Sequence, residues 1–366
     1  CNLNPEMMAI AAGSKETTQC WVSWHIFSRL LLLIFITSLG LTLISVREVG
    51  KNSKNHQLLR KLSSEPQRIV FFKTFKTGST TVAELIFTIA QRRRLYMLHP
   101  QNSGWFAKDE FQRHAESNRV FDVSFRHIHP AAINYNYLGK VFPGATLYMT
   151  ILRDPVSRFF SLFKFDTGVN KKYRDNPNKL VQDLLSPSLN KAFVMQKRQW
   201  FCNNQVRNIY SNEEDIEKNE SSKNYLQLAD RIIAELEAHN VLVLIQDYMA
   251  ESFIKLGDTV GFDILSEGLS VPQTRKQNYQ YGSKCGQDCI RGIEKCSGVD
   301  MAVYKHFKAK FEAEFLPAID MQKVKDLKKK KGKTTPANHK NPYKANCIPQ
   351  PSNPAERLQS CEGRLA

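Results

Sequence analysis

The chain has 366 residues, 42% of them hydrophobic and 24% charged, proportions that set aside a disordered chain and allow one sizeable buried core. Its 52 Lys and Arg against 35 Asp and Glu leave a formal charge of +17. That excess suits an anionic partner: nucleic acid, an acidic membrane face or a multiply charged nucleotide.

From Leu30 to Val46 the sequence is apolar apart from Thr37, Ser38, Thr42 and Ser45, with Trp21, Trp24 and Phe27 just before it. With that aromatic shoulder the stretch reaches the roughly 20 residues that cross a bilayer. Trp21 and Trp24 fall at headgroup level. No small-residue cleavage site follows; Arg47, Glu48 and Lys51 do. The segment therefore reads as an uncleaved signal anchor over 26–46, between a cytosolic tail (1–25) and a polar stem (47–67). Flanking charges leave its orientation open, and the chain opens on Cys1, so its natural start is open too.

The folded body begins with Arg68-Ile69-Val70-Phe71-Phe72, a short apolar run of the buried-strand type. Lys73-Thr74-Phe75-Lys76-Thr77-Gly78-Ser79-Thr80-Thr81 follows, then a helix with Val82, Leu85, Ile86 and Ile89 on one face and Arg92, Arg93 and Arg94 at its C-terminal end. A second unit runs from Ala145 to Leu152 as a strand, through Arg153-Asp154-Pro155, into a helix from Val156. A helical pattern through Ile232, Ile233 and Leu236 leads to a third strand, Val241–Ile245, with more helix after Tyr248. Strands alternating with helices predict an α/β domain over 68–320, its central sheet mostly parallel and flanked by helices. After about Pro272 the sequence reads as irregular, and 321–366 as a basic, Pro-rich C-terminal tail in which the run Lys323–Lys333 is solvated.

Beyond the anchor lie Cys202, Cys285, Cys289, Cys296, Cys347 and Cys361, an even number. Their spacing lacks a paired CxxC and no His falls at zinc-site distance, so disulfides are expected rather than a metal site. Asn219-Glu220-Ser221 is an acceptor triplet for glycosylation.

Two motifs carry chemistry. The 73–81 turn does not match GxxxxGK[ST], so it is not a Walker loop. It still has an anion site's parts: Lys73 and Lys76 for charge, Gly78 for a tight backbone, Ser79, Thr80 and Thr81 as hydroxyl donors on the first helical turn. In Arg153-Asp154-Pro155-Val156-Ser157-Arg158-Phe159-Phe160-Ser161, Arg153 stands where ligands bind in open α/β sheets, and Pro155 starts the helix that carries Ser161. Taken singly, each motif also reads as structural: a capped helix, an Arg holding a loop.

Together they resemble the Golgi carbohydrate sulfotransferases, nearest the galactose-3-O-sulfotransferases, from about Arg68 to Phe315. The resemblance implies a nucleotide-binding sulfotransferase fold akin to P-loop kinases. It implies use of 3′-phosphoadenosine 5′-phosphosulfate (PAPS) as co-substrate; no metal is required in principle, since lysines and backbone amides can neutralise the transferred group. Lys76, Thr77, Gly78, Ser79, Thr80 and Thr81 match the loop around the 5′-phosphosulfate, with Lys73 beside it. Arg153 and Ser161 match the clasp on the 3′-phosphate. His127 falls where such enzymes carry the catalytic base, ahead of its neighbours His129 and His114. A strand from Val120 to Phe125 is expected to bring it to the sheet edge. Lys76 would meet charge developing on the oxygen that bridges sulfur and the departing phosphate. One residue departs from the family pattern: Phe75 stands where the loop usually has His.

The implied acceptor is a galactose-terminated glycolipid or glycan, sulfated on the 3-hydroxyl. The implied setting is the Golgi membrane, single-pass type II with a lumenal catalytic domain, no nucleic acid partner, and a homodimer left open. Rival readings are a sulfotransferase for a uronic acid or hexosamine, an inactive glycan-binding protein (the reading Phe75 motivates), and a nucleotide kinase. The missing Walker Lys and the anchor oppose the last.

Overall fold

A computed structural model of the chain describes residues 68–100, 105–129, 132–186, 192–219, 224–266 and 285–329. In chain order these form β1 (Arg68–Phe72), α1 (Ser79–Arg92), β2 (Trp105–Phe106), α2 (Glu110–Glu116), β3 (Val123–Ser124), β4 (His127–Ile128) and α3 (Tyr135–Val141). Next come β5 (Thr146–Leu152), α4 (Pro155–Phe165), α5 (Thr167–Tyr173), α6 (Pro177–Leu185), α7 (Ala192–Phe201), α8 (Asn204–Arg207) and α9 (Glu213–Asn219). The rest is α10 (Tyr225–Ala238), β6 (Leu242–Ile245), α11 (Met249–Val260), α12 (Gln287–Cys296), α13 (Gly298–Lys310) and α14 (Met321–Lys329). The anchor, tail and stem expected over 1–67 lie outside the described residues. Among the described residues no helix is long and apolar enough to cross a membrane.

The architecture is α/β, as expected. Four strands pair in the order β3-β1-β5-β6, all parallel. The strands are apolar because helices flank the sheet: Ile69 to Phe72, Met149, Ile151, Leu152 and Leu244 are all essentially inaccessible. Phe72 is in register with Thr150, so the loops after β1 and β5 leave the same, C-terminal edge. That is where open parallel sheets bind ligands. A second apolar cluster gathers Phe159 and Phe163 of α4 with Leu180, Phe201 and Ile293 around the disulfide Cys202–Cys296; Cys285 pairs with Cys289. Two disulfides therefore form among the described residues and take up Cys202, Cys285, Cys289 and Cys296, while Cys347 and Cys361 lie outside the described residues.

Three expectations need correction. Only Val123–Ser124 of the stretch 120–125 joins the sheet. The chain leaves the sheet after Ser124 because the backbone of His127–Ile128 pairs instead with Trp105–Phe106 in a separate parallel ladder. The region after Pro272 is not irregular throughout, since α12 to α14 occupy most of 287–329. The basic run is not wholly a solvated tail. In α14, Val324 and Leu327 are completely buried, and Lys328 binds Glu251 of α11 at 2.8 Å. Two apolar residues three apart suffice to seat one helical face while the lysines stay outward.

Candidate active site

The turn after β1 is held from within. Thr74 donates its hydroxyl to the Ile151 carbonyl (2.8 Å), Thr150 donates to that of Phe72 (2.9 Å), and Thr77 sits 2.7 Å from the Thr74 hydroxyl. Ser79 donates to the Thr74 carbonyl. The hydroxyls of Thr77 and Ser79, both buried, thus shape the loop, whereas Thr80 is exposed and Thr81 half-buried at the start of α1. Gly78 has φ of 84°, left-handed, and a Cβ there would lie 2.5 Å from Cε of Met249. The left-handed backbone is what calls for glycine, since the Met249 methyl is the end of a flexible side chain that can move aside. Lys76 is left-handed as well, with φ of 60°. A non-glycine residue held there is strained by about 1–2 kcal/mol, a strain that native folds concentrate at functional sites.

Arg153, at the end of β5, reaches across and donates from its guanidinium to the Lys76 carbonyl at 3.1 Å. Burial and the Arg153 charge both lower the Lys76 pKa. Lys73 is lowered too, by burial and then by Arg126, with Glu84 acting against them. Lys73, Lys76, Arg153 and the N-terminus of α1 thus converge on one sheet edge, a donor set that fits a multiply charged anion. Ser161, half-buried in the second turn of α4, follows on the helix that begins directly after Arg153.

His127 meets the loop from its own ladder. Its Nδ1 lies 2.9 Å from the Lys73 carbonyl. A carbonyl only accepts, so Nδ1 carries the proton and donates, and in the neutral ring Nε2 keeps its lone pair. Burial, then the Lys73 charge, lowers the His127 pKa from 6.5 to about 4, so the ring is neutral at physiological pH. Phe75 and Trp105 pack on it, with ring centroids 4.2 and 4.8 Å away. Trp105 is its register partner in the ladder.

Sequence reasoning missed the support behind Arg153. The Gln205 side chain accepts from the Arg153 N–H (2.8 Å) and donates to the Arg153 carbonyl (2.9 Å), gripping its backbone as a neighbouring strand would. Gln205 is itself fixed by reciprocal capping. The Asp300 carboxylate accepts from the N–H groups of Gln205 and Val206 at the start of α8, and Asn203 accepts from those of Val299 and Asp300 at the start of α13. Arg158, completely buried, donates to the carbonyls of Trp200 and Phe201. Burial lowers its pKa to about 10, Asp300 holding it up and Arg153 pressing it down. Burial pushes Asp300 upward, with Arg158 opposing. A polar triplet, Asn203-Asn204-Gln205, directly after a cysteine and between apolar residues was the available signal.

A parallel sheet with a strained, glycine-bearing turn, a cationic edge and a neutral histidine over the turn defines an α/β protein whose donors at that edge fit an anion. The chain belongs to the galactose-3-O-sulfotransferase family, whose model matches residues 18–333. It is 23% identical over 282 residues to galactose-3-O-sulfotransferase 2 of Mus musculus, covering 72% of this chain and 67% of that protein. To galactosylceramide sulfotransferase of Mus musculus it is 26% identical (68% of this chain, 57% of that protein). To galactose-3-O-sulfotransferase 3 of Homo sapiens it is 25% identical (66% and 56%). The chain thus spans little more than half the length of the latter two relatives.

Proposed function

We propose that this protein is a PAPS-dependent sulfotransferase acting on the 3-hydroxyl of galactose in a glycolipid or glycoprotein glycan. One observation carries the reading. The histidine that the family resemblance marks as base is bonded to the same loop that Arg153 braces, and it is held as the tautomer with Nε2 open. When bound, PAPS supplies the sulfonate and a bisphosphate leaving group. The protein's own residues do the rest. Lys73, Lys76 and Arg153 bind and neutralise the anion, and Lys76 is placed to meet charge growing during transfer. His127 Nε2 accepts the proton of the attacking hydroxyl, which is too weak a nucleophile without a base.

The strand–turn–helix arrangement supports kinship with the nucleotide-binding sulfotransferase and P-loop kinase folds. The disulfides suit an oxidising lumen, which agrees with the proposed Golgi type II topology and with glycosylation at Asn219, the last residue of α9. The test incubates the protein with sulfur-labelled PAPS and a panel of galactosides, uronic acid polymers and hexosamine polymers, then maps the sulfated position. Label on galactose O3 supports the assignment. Label confined to another sugar would replace the acceptor, and no label would remove the activity.

A further inference from the structure

Among the described residues five large apolar side chains are exposed, and two of them, Phe165 (63%) and Trp200 (37%), flank the loop after β1. Phe165 lies under the Lys76 ammonium, whose Nζ is 4.2 Å from its ring centroid. Trp200 lies 5.1 Å from Phe75, which in turn belongs to the three-ring cluster with Trp105 and His127. The aromatic surface therefore runs unbroken from the base to solvent. Trp200 is thus packed over most of its surface while part of the indole stays accessible at the rim of the site, where an aromatic face can take a ligand.

The backbone around Trp200 is firmly tied. Arg158 holds the carbonyls of Trp200 and Phe201, the disulfide to Cys296 holds Cys202, and Asn203 and Gln205 are locked by the reciprocal caps. Four consecutive anchoring devices behind one exposed ring are far more than a surface residue needs. They are what a preformed subsite needs, because a fixed platform loses little freedom on binding.

We propose that Trp200, backed by Phe75 and Trp105, is the platform that receives the apolar face of the acceptor galactose; this rests on the function proposed above. The choice of occupant follows from charge. The anionic partner is served by Lys73, Lys76 and Arg153, whereas the negative face of an indole favours a neutral partner with positively polarised C–H groups. A β-galactoside offers such a face, because its axial 4-hydroxyl leaves the C–H groups of C3, C4 and C5 together on one side. Its equatorial 3-hydroxyl stays at the rim, where a stacked ring does not cover it. Phe75, placed in the loop where relatives' loops usually have His, makes the platform continuous with the anion site.

The test measures both substrates' KM values for Trp200→Ala and Trp200→Phe with methyl β-galactoside as acceptor. Alanine should raise the acceptor KM about tenfold, the scale of one aromatic contact, while KM for PAPS holds and phenylalanine restores most of the loss. An unchanged acceptor KM would overturn the platform, as would a rise in the PAPS value alone, which would assign the ring to the adenine. Saturation-transfer NMR on the unmodified protein, with 3′-phosphoadenosine 5′-phosphate present, needs neither turnover nor a variant. The galactoside's H3, H4 and H5 should receive the most saturation; an even spread or no transfer would overturn the proposal. If that pattern appears with no sulfation, the platform stands and the enzymatic reading falls. If sulfation proceeds with acceptor KM unaffected by alanine, the reverse holds.

Discussion

Replacing Gln205 with Leu removes the two hydrogen bonds that grip the Arg153 backbone and the side-chain contact with Asp300, while the bonds from the α8 amides to Asp300 use main-chain donors and stay. Two such bonds contribute about 2 kcal/mol net, more if the Arg153 groups find no water. For a domain of this size that is a fall in Tm of about 4–8 °C. The functional effect is separate. Arg153 donates to the Lys76 carbonyl, so loosening its backbone disturbs both the clasp and the loop. Binding of 3′-phosphoadenosine 5′-phosphate should weaken about three- to tenfold by calorimetry, a part of the roughly 1.5–3 kcal/mol that a charged hydrogen bond carries. At saturating PAPS, kcat should fall less than nucleotide affinity does, because Gln205 touches no reacting atom and reaches Lys76 only through Arg153. Lower Tm with unaltered nucleotide affinity would refute the reasoning: Gln205 would then hold the fold and not the site.

His127→Ala should lower kcat by about 10²–10⁴-fold with nucleotide affinity kept, while His129→Ala serves as control; equal loss in both would remove the base assignment. Because the folded value of His127 is about 4 against 6.5 free, the acid limb of kcat/KM should fall near pH 4, and a limb near 6.5 would contradict its placement. The linked stability has the same sign: it is fully present above about 6.5 and declines as pH drops toward 4, where the unfolded chain takes a proton the folded ring refuses. Lys76→Ala should weaken nucleotide binding by about 1.5–3 kcal/mol in calorimetric titration, and unchanged affinity would remove it from the site. Converting Cys202 and Cys296 to Ser opens a cross-link between residues 94 apart, and denaturant unfolding should show a loss of about 2–4 kcal/mol; no loss would mean that the disulfide does not constrain the chain.

The sequence by itself determined the sheet strands that are buried on both faces, Arg68–Phe72, Thr146–Leu152 and Leu242–Ile245, because continuous apolar runs bounded by polar turns have few other uses. It determined the two charged turns at their ends as well, since a glycine between lysines before a helix and an Arg-Asp-Pro after a strand are local signals. Tertiary structure alone decided where His127 goes. Its two-residue ladder with Trp105–Phe106 is too short to show a period, and its pairing partner lies 22 residues away. The same holds for Gln205, Asn203, Asp300 and Arg158, whose partners lie 42 to 97 residues away. A buried polar side chain is defined by the orphan donor it satisfies, and that donor is identified only once the chain has brought the two together. The lysine-rich α14 shows the converse: its composition says solvent, and two apolar residues on one face turned it onto α11.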